Sequence, residues 1–387
     1  MSVSSTLSGF SDNLFPNATA ARSVPAGCSV ISSDNTSFVP WDHPDTMVSH
    51  EAEDMTLRIK CAVILPLLFL IGGPGNVINM AVFYKQGLRE RVNLCLFALS
   101  LADWLYLLQA IFYFGDQIPL LLTTGGRYGV MTITMTNYNL VGLFGFTWVS
   151  QVISAIIASE RCLCVLSPLS SQRLIKTRTM AVVLSSVFVV IVGLYFVVAA
   201  RYRLGCVYDP GSGKSLVAAV DSEFYTQHSA LINYLDGFLF GAGIPVLVMV
   251  VVTTTTTITA TKIRQAARWR AESSASDAVR TISPRDVALT KMLIGTSLLF
   301  MVCVFPIALF RCVCLFLPEI NPGRRHQNLY FTCLWILDVL TYTNSTFNIF
   351  VYYTMGSRFR RTFWELFRRQ KTKKAPSLPT IDLEISK

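Results

Sequence analysis

Four short motifs of polar and charged residues interrupt the long apolar stretches of this chain. They are Gly75-Asn76, a Leu-Ser-Leu-Ala-Asp run that ends at Asp103, the segment from Ser159 to Cys162, and the segment from Asn344 to Tyr352. Polar and ionisable groups are costly inside hydrocarbon, so the ones that persist there usually pair with one another and mark function. These motifs are therefore the first candidates for a functional site.

The residues that enzymes use for bond-breaking chemistry are sparse. The chain has only four histidines, and none lies at the centre of an apolar stretch. We find no His-Glu-x-x-His motif and no paired carboxylates at a catalytic spacing. We therefore expect neither an enzyme nor an enzymatic cofactor.

The composition indicates a membrane protein. Of 387 residues, 52% are hydrophobic and 14% charged, and the mean hydropathy is +0.49. A soluble domain of this size carries more charge. The net charge of +10 sits between apolar stretches, which favours a role in membrane topology over nucleic-acid binding.

Seven stretches are long enough to span a bilayer. If the loops alternate, 23 of the 33 basic residues fall on one side, and the positive-inside rule makes that side cytoplasmic. Because backbone groups in lipid must be satisfied within helices, we predict an all-α bundle of seven transmembrane helices in the plasma membrane. The predicted spans are 57–84, 92–118, 131–162, 179–200, 228–261, 288–317 and 328–355.

The segments around the spans differ in composition. Residues 1–56 are rich in Ser, Thr, Asn, Asp and Pro, which predicts a flexible extracellular tail without a cleaved signal peptide. It carries glycosylation acceptors at Asn17 and Asn35. After the bundle (57–355), residues 356–369 predict an amphipathic helix at the anionic inner leaflet. Residues 370–387 predict a disordered cytoplasmic tail.

In this order and over nearly the whole hydrophobic region, the motifs resemble the rhodopsin-like (class A) family of G-protein-coupled receptors. The resemblance implies an extracellular ligand and a heterotrimeric G protein as partners, with arrestin, receptor kinases and membrane lipid as further partners. It implies a conformational switch and G-protein contact at Glu160, Arg161, Leu169, Asp286, Asn348 and Tyr352. It also implies an allosteric Na⁺ site formed by Asp103, Ser150, Asn344, Ser345 and Asn348.

Several positions depart from the family pattern. Val304 stands where the sixth helix usually has Trp, and Ile349 stands where the seventh has Pro. The third-helix cysteine position is Thr136, so the usual disulfide to the second extracellular loop cannot form. Cys206 then either pairs with Cys28 or stays unpaired.

The same resemblance guides the ligand prediction. Leu143 stands where amine receptors carry Asp, and Tyr342 where opsins carry the retinal-linking Lys, which disfavours monoamines and light. Arg311 and Asp338 suit a peptide or a zwitterionic small molecule, unless these two residues pair with each other. The candidate ligand-binding residues are Tyr113, Asp116, Asn139, Tyr234, Arg311, Asp338 and Tyr342.

We therefore expect a receptor that transmits the binding of a neuropeptide or other peptide. The alternatives are a chemosensory receptor for small molecules and a membrane transporter. Against a transporter, the sequence has no internal repeat, and a repeated half is typical of many transporters.

Overall fold

The computed structural model describes residues 28–30, 43–114, 128–167, 175–209, 214–272, 284–321 and 324–372. Seven long helices form a bundle, and a shorter amphipathic helix follows the seventh. The helices are α1 (His50–Ile59, Lys60–Ile64 and Leu65–Gln86), α2 (Arg91–Tyr113), α3 (Tyr128–Leu166), α4 (Thr177–Ala199), α5 (Glu223–Asn233, Tyr234–Gly243 and Ile244–Glu272), α6 (Pro284–Phe316), α7 (Gln327–Met355) and α8 (Ser357–Thr372). The predicted fold class is confirmed.

Within the described residues, α1 to α6 are long and apolar enough to cross a membrane. Helix α7 is less apolar because it carries a run of polar side chains, and Asn344, Ser345, Thr346 and Asn348 are buried inside the bundle. The polar helix thus faces its neighbours, while large apolar side chains elsewhere cover the outside. This distribution suits a protein surrounded by lipid.

Helix α1 begins earlier than the predicted span 57–84, at His50. The Ser49 hydroxyl accepts a hydrogen bond from the Ala52 amide at 3.3 Å. Glu51 and Glu53 lie in the first turn, where acids stabilise the positive end of a helix. Hydrophobicity alone could not indicate this turn, because the stabilising residues are polar.

Two stretches of π-helix precede prolines. Lys60–Ile64 comes just before Pro66 in α1, and Tyr234–Gly243 comes just before Pro245 in α5. A proline ring clashes with the carbonyl four residues earlier and lacks its own N–H. A widened turn relieves that clash. The widened turn thus accommodates the proline in each of these helices.

A three-stranded sheet forms a feature that the sequence analysis did not predict. Strands β2 (Tyr202–Asp209) and β3 (Lys214–Asp221) form an antiparallel hairpin between α4 and α5, and β1 (Cys28–Val30) pairs parallel to β2. The sequence signal was present, since turn-forming residues from Asp209 to Gly213 separate two apolar runs. We call the end of the bundle with this sheet the sheet end, and the opposite end the α8 end.

Helix α8 packs against the start of the bundle. The Arg358 guanidinium donates to Glu90 at 3.1 Å, and the Gln86 amide donates to the Thr362 hydroxyl at 3.3 Å. Phe359 is buried between these contacts. Helix α8 is therefore held against the end of α1 and the turn that leads into α2.

Candidate functional site

Asp103 of α2 lies at the centre of a buried polar cluster. Its side chain is fully buried. The Ser150 and Ser345 hydroxyls donate to Oδ1 at 2.6 and 2.9 Å, and the Asn348 amide donates to Oδ2 at 2.9 Å. All three donors are neutral, so these hydrogen bonds fix the position of the carboxylate without cancelling its charge. The cluster links α2, α3 and α7.

Asn76 extends this network to α1. Its amide donates to the Ser345 carbonyl at 2.9 Å, and Asn79 donates to Asn76 at 3.4 Å. Beside them, a Cβ added to Gly75 would lie 3.2 Å from Ile349 Cγ2. Glycine therefore lets α1 approach the residue that replaces the family's proline in α7.

Hydrogen bonds to Asp103 connect the predicted Na⁺ ligands Ser150, Ser345 and Asn348. The fifth predicted ligand, Asn344, is not part of this set of hydrogen bonds. Asn344 is buried and lines a small cavity with Asn348, Ser154 and Phe300. The set offers one carboxylate with hydroxyl and amide oxygens, the hard donors that such cations prefer. These residues fit a monovalent cation, because a single carboxylate balances a single charge.

Glu160 and Arg161 form a buried ion pair at the α8 end of α3. The Arg161 guanidinium donates to Glu160 Oε1 at 2.6 Å. Arg91 of α2, which the sequence analysis counted only as a topology charge, approaches the same carboxylate to 3.6 Å. The Cys164 thiol also donates to Glu160 at 3.3 Å. One glutamate thus faces two arginines, an arrangement in which the ion pairs can exchange.

Two other predicted residues at this end cannot be placed. Leu169 lies outside the described residues, and Asp286 lies in the first turn of α6, where side chains are not described. The predicted roles of Leu169 and Asp286 in the switch and in G-protein contact therefore stay predictions.

Tyr352, in the last turn of α7, belongs to an aromatic cluster. Its ring centroid lies 5.2 Å from that of Phe83 and 5.7 Å from that of Phe359. All three rings are almost fully buried. They hold α1, α7 and α8 together directly below the Asp103 cluster.

Near Pro306, α6 packs against α3 and α5 through apolar side chains. Phe300 and Val304 are buried against Val248 and Val252 of α5 and Ala155 of α3. Helix α6 continues without a break through Pro306. The small Val304 side chain therefore packs as ordinary core in the place of the family's larger Trp.

At the sheet end, Lys60 is 1% exposed and pairs with Asp338 of α7, with 3.3 Å between Nζ and Oδ2. Its ammonium also lies 3.8 Å from the ring centroids of Phe114 and Trp335. Trp335 in turn donates to Glu53 at 2.8 Å. Lys60 was not among the predicted site residues, although a lysine within an apolar span usually marks a functional or paired position.

Arg311 does not pair with Asp338, which was one alternative considered from the sequence. Its guanidinium donates to the Tyr330 hydroxyl at 2.6 Å. Lys60 pairs with Asp338 instead, so Arg311 and Asp338 have different partners.

The remaining ligand candidates fall in different environments. Tyr342 is buried and stacks on Tyr106, with 5.2 Å between ring centroids. Tyr113 is partly buried beside Phe114, and Tyr234 is 55% exposed. Three predicted residues, Asp116, Asn17 and Asn35, lie outside the described residues, and the side chain of Asn139 is not described.

Comparisons with known proteins agree with this arrangement. Residues 75–352 match the family described as "7 transmembrane receptor (rhodopsin family)". The chain is also 27% identical to galanin receptor 2b of Danio rerio over 310 residues, which is 79% of this chain and 74% of that protein.

The family match begins at Gly75 and ends at Tyr352, and it therefore contains the buried Asp103 cluster, the Glu160–Arg161 pair and all but the first part of the bundle. It covers well over half of the chain. The protein is a multi-pass membrane receptor and belongs to the rhodopsin family of seven-transmembrane receptors.

Proposed function

We propose that the chain transmits the binding of an extracellular peptide to a heterotrimeric G protein. In this proposal the sheet end faces the outside of the cell and the α8 end faces the cytoplasm. The charge distribution supports this orientation, because 23 of 33 basic residues belong to the side that carries α8.

The observation that carries the proposal is the buried Glu160–Arg161 pair with Arg91 beside it. Buried ion pairs contribute little net stability, but the same charges can take different partners in two states. Release of Arg161 from Glu160 would free a guanidinium at the cytoplasmic end, where a G protein binds. Helix α6 would swing outward in the same transition, as a shift between two populations of the bundle.

Two observations support a peptide ligand. The relative found in zebrafish is a galanin receptor, and galanin is a peptide. In addition, Asp338 is already paired with Lys60, so it is not an open partner for a small amine. Arg311 retains further N–H donors beside Tyr330 and can donate hydrogen bonds to a peptide carbonyl or carboxylate.

The Asp103 cluster would tune this transition. A Na⁺ ion held by Asp103, Ser150 and Ser345 would supply a positive charge next to the buried carboxylate. The state that holds these oxygens together would thereby be favoured over the state that separates them.

The test measures G-protein activation in cells for every Gα class, with galanin and a library of amidated peptides as probes. Arg161→Ala should abolish the peptide-dependent signal. The matched control is Arg178→Ala, which removes an exposed arginine of α4 and should leave the signal intact. Silence in every Gα class, despite full surface expression of the wild-type chain, would contradict the proposal.

A further inference from the structure

The parallel pairing of β1 with β2 sets two cysteines directly opposite each other. In the register of the two strands, Cys28 faces Cys206, Ser29 faces Val207 and Val30 faces Tyr208. Neighbouring strands lie about 4.8 Å apart, and disulfides join residues whose Cα atoms are about 4.4 to 6.8 Å apart. From this juxtaposition we propose that Cys28 and Cys206 form a disulfide that ties the N-terminal segment to the hairpin.

The other cysteines near the sheet end have different surroundings. Cys312 and Cys314 of α6 are both unbridged thiols. Cys314 is buried among Tyr330, Phe331 and Leu334, so it contributes to packing. Within the described part of the chain, the strand register therefore matches Cys206 with Cys28 and with no cysteine of α6.

The segment that follows β1 is already held at its other end. Asp45 pairs with Arg325 at 3.1 Å, and the Asn328 amide donates to the Val48 carbonyl at 3.0 Å. Both partners lie at the start of α7, whereas β2 follows α4. A disulfide at Cys28 would therefore tie the N-terminal segment to the hairpin as well as to α7, and we call this double attachment the strap.

The strap would replace the family's usual disulfide between the hairpin and the third helix, which cannot form in this chain. With Thr136 in α3, the hairpin has no covalent link to that helix. A bridge to Cys28 would anchor the hairpin through the N-terminal segment instead.

The chemistry requires an oxidising compartment. Each thiol loses one proton, and the pair gives two electrons to a protein disulfide of the secretory pathway, which is reduced to a dithiol by exchange. The inference rests on the proposed orientation, which places the sheet end outside the cell, where disulfides persist.

Peptide mapping of the full-length receptor tests the bridge. Trypsin releases Cys28 in the peptide 23–58 and Cys206 in the peptide 204–214, because no Lys or Arg interrupts either segment. After blocking of free thiols and removal of N-glycans, we expect a species that contains both peptides and separates on reduction. Recovery of both peptides as blocked thiols, or of 204–214 linked to the 312–324 peptide, would overturn the proposal.

Variants test the consequence for the fold. Cys28→Ser, Cys206→Ser and the double variant should lower the thermal midpoint of the purified receptor by the same amount, because either change removes the whole bridge. Cys312→Ser is the control and should keep the linked species. Additive losses in the double variant would count against a bridge.

The outcome is separable from that of the proposed function. The mapping needs neither a ligand nor a G protein, so a linked species supports the bridge even if no peptide activates the receptor. Conversely, peptide signalling that survives with both cysteines recovered as thiols would leave the proposed function intact and remove the bridge.

Discussion

At the scale of single residues, the central feature of the bundle is the buried carboxylate of Asp103. The side chains observed to donate hydrogen bonds to it are all neutral. Asp103 accepts from Ser150, Ser345 and Asn348. Three hydrogen bonds can fix the position of a buried anion without cancelling its charge. The cluster is thus ordered and still attractive to a cation.

We predict that Asp103→Asn removes the sensitivity of the receptor to Na⁺ while the chain still folds. The amide has the shape of the carboxylate but no charge, and Asn348 can turn its own amide to keep a hydrogen bond. In membranes, replacing NaCl by N-methylglucamine chloride should change the basal nucleotide exchange of the wild type by about fivefold or more, and leave the variant unchanged.

The control for this measurement lies on the same helix. The buried Ser100 hydroxyl bonds to its own helix, at the Leu96 carbonyl, so Ser100→Ala should keep the response to Na⁺. An equal response in Asp103→Asn and in the wild type would contradict a cation site at Asp103.

A second prediction concerns Glu160. Glu160→Gln leaves both Arg161 and Arg91 without the charge that they face, so the inactive arrangement loses stability. A loss of about 1.4 kcal/mol raises a minor active population about tenfold. Basal G-protein activation at matched surface expression measures this change. The exposed acid Glu365 of α8 provides the control, since Glu365→Gln should leave the basal level unaltered.

The sequence analysis named the residues that meet at Asp103 but not the Lys60–Asp338 pair. Asp103, Ser345 and Asn348 lie in motifs that resemble the family, and Ser150 stands at a position that matches it, so these residues were assigned to one site. Lys60 and Asp338 lie 278 positions apart and belong to no such motif. Their contact depends on how α1 and α7 rotate about their axes, which apolar composition does not specify.

At the scale of helices, the Lys60–Asp338 pair connects α1 to α7. Lys60→Met leaves the Asp338 carboxylate unpaired, and breaking a buried pair in this way costs about 3 to 5 kcal/mol. The double variant Lys60→Met with Asp338→Asn should recover most of this loss, because no buried charge remains. Thermal unfolding of the purified receptor compares both variants with the wild type.

The matched control is an exposed ion pair on the same helix. Arg58 and Asp54 are 71% and 39% exposed, and such pairs contribute about 0 to 1 kcal/mol. Asp54→Asn should therefore hardly change the thermal midpoint. A double variant at Lys60 and Asp338 that is as unstable as Lys60→Met would mean that packing, and not charge, dominates this contact.

Helix α8 offers another prediction at this scale. Phe359 is buried against Phe83 and Tyr352, and truncating a buried Phe costs about 3 to 5 kcal/mol. Phe359→Ala should therefore lower the thermal midpoint of the receptor. Phe367, on the same helix but 44% exposed, is the control, and Phe367→Ala should have a much smaller effect. Equal effects would mean that α8 does not stabilise the bundle through this cluster.

At the scale of the whole molecule, hydrophobicity predicted the number and order of the helices but not the elements outside lipid. The first turn of α1 and the hairpin between α4 and α5 depend on capping residues, turns and strand pairing. The short strand β1 needs a partner about 180 residues away in sequence. Such long-range pairing cannot be read from local composition.

The proposed signal requires α6 to move away from α7 at the α8 end, and Gly295 lies where these two helices meet. A Cβ added at Gly295 would lie 2.6 Å from Met355 Sδ and 3.1 Å from Val351 Cγ1. The approach to Met355 Sδ is too short for packed atoms and requires the thioether to turn aside, and the approach to Val351 requires α6 and α7 to separate by a few tenths of an ångström. Gly295→Ala should therefore push α6 outward and favour the active population.

Labels on α6 and at the residue just before α4 can report this movement. Lys291 and Lys176 are both exposed at the α8 end, and a pair of keto amino acids at these positions carries spin labels without using the native cysteines. We expect Gly295→Ala to enrich the longer of two distances and to raise basal G-protein activation. Gly193→Ala is the control, because its Cβ would meet no atom within 4 Å. If the longer distance increases without any gain in activation, movement of α6 is not the step that a G protein detects.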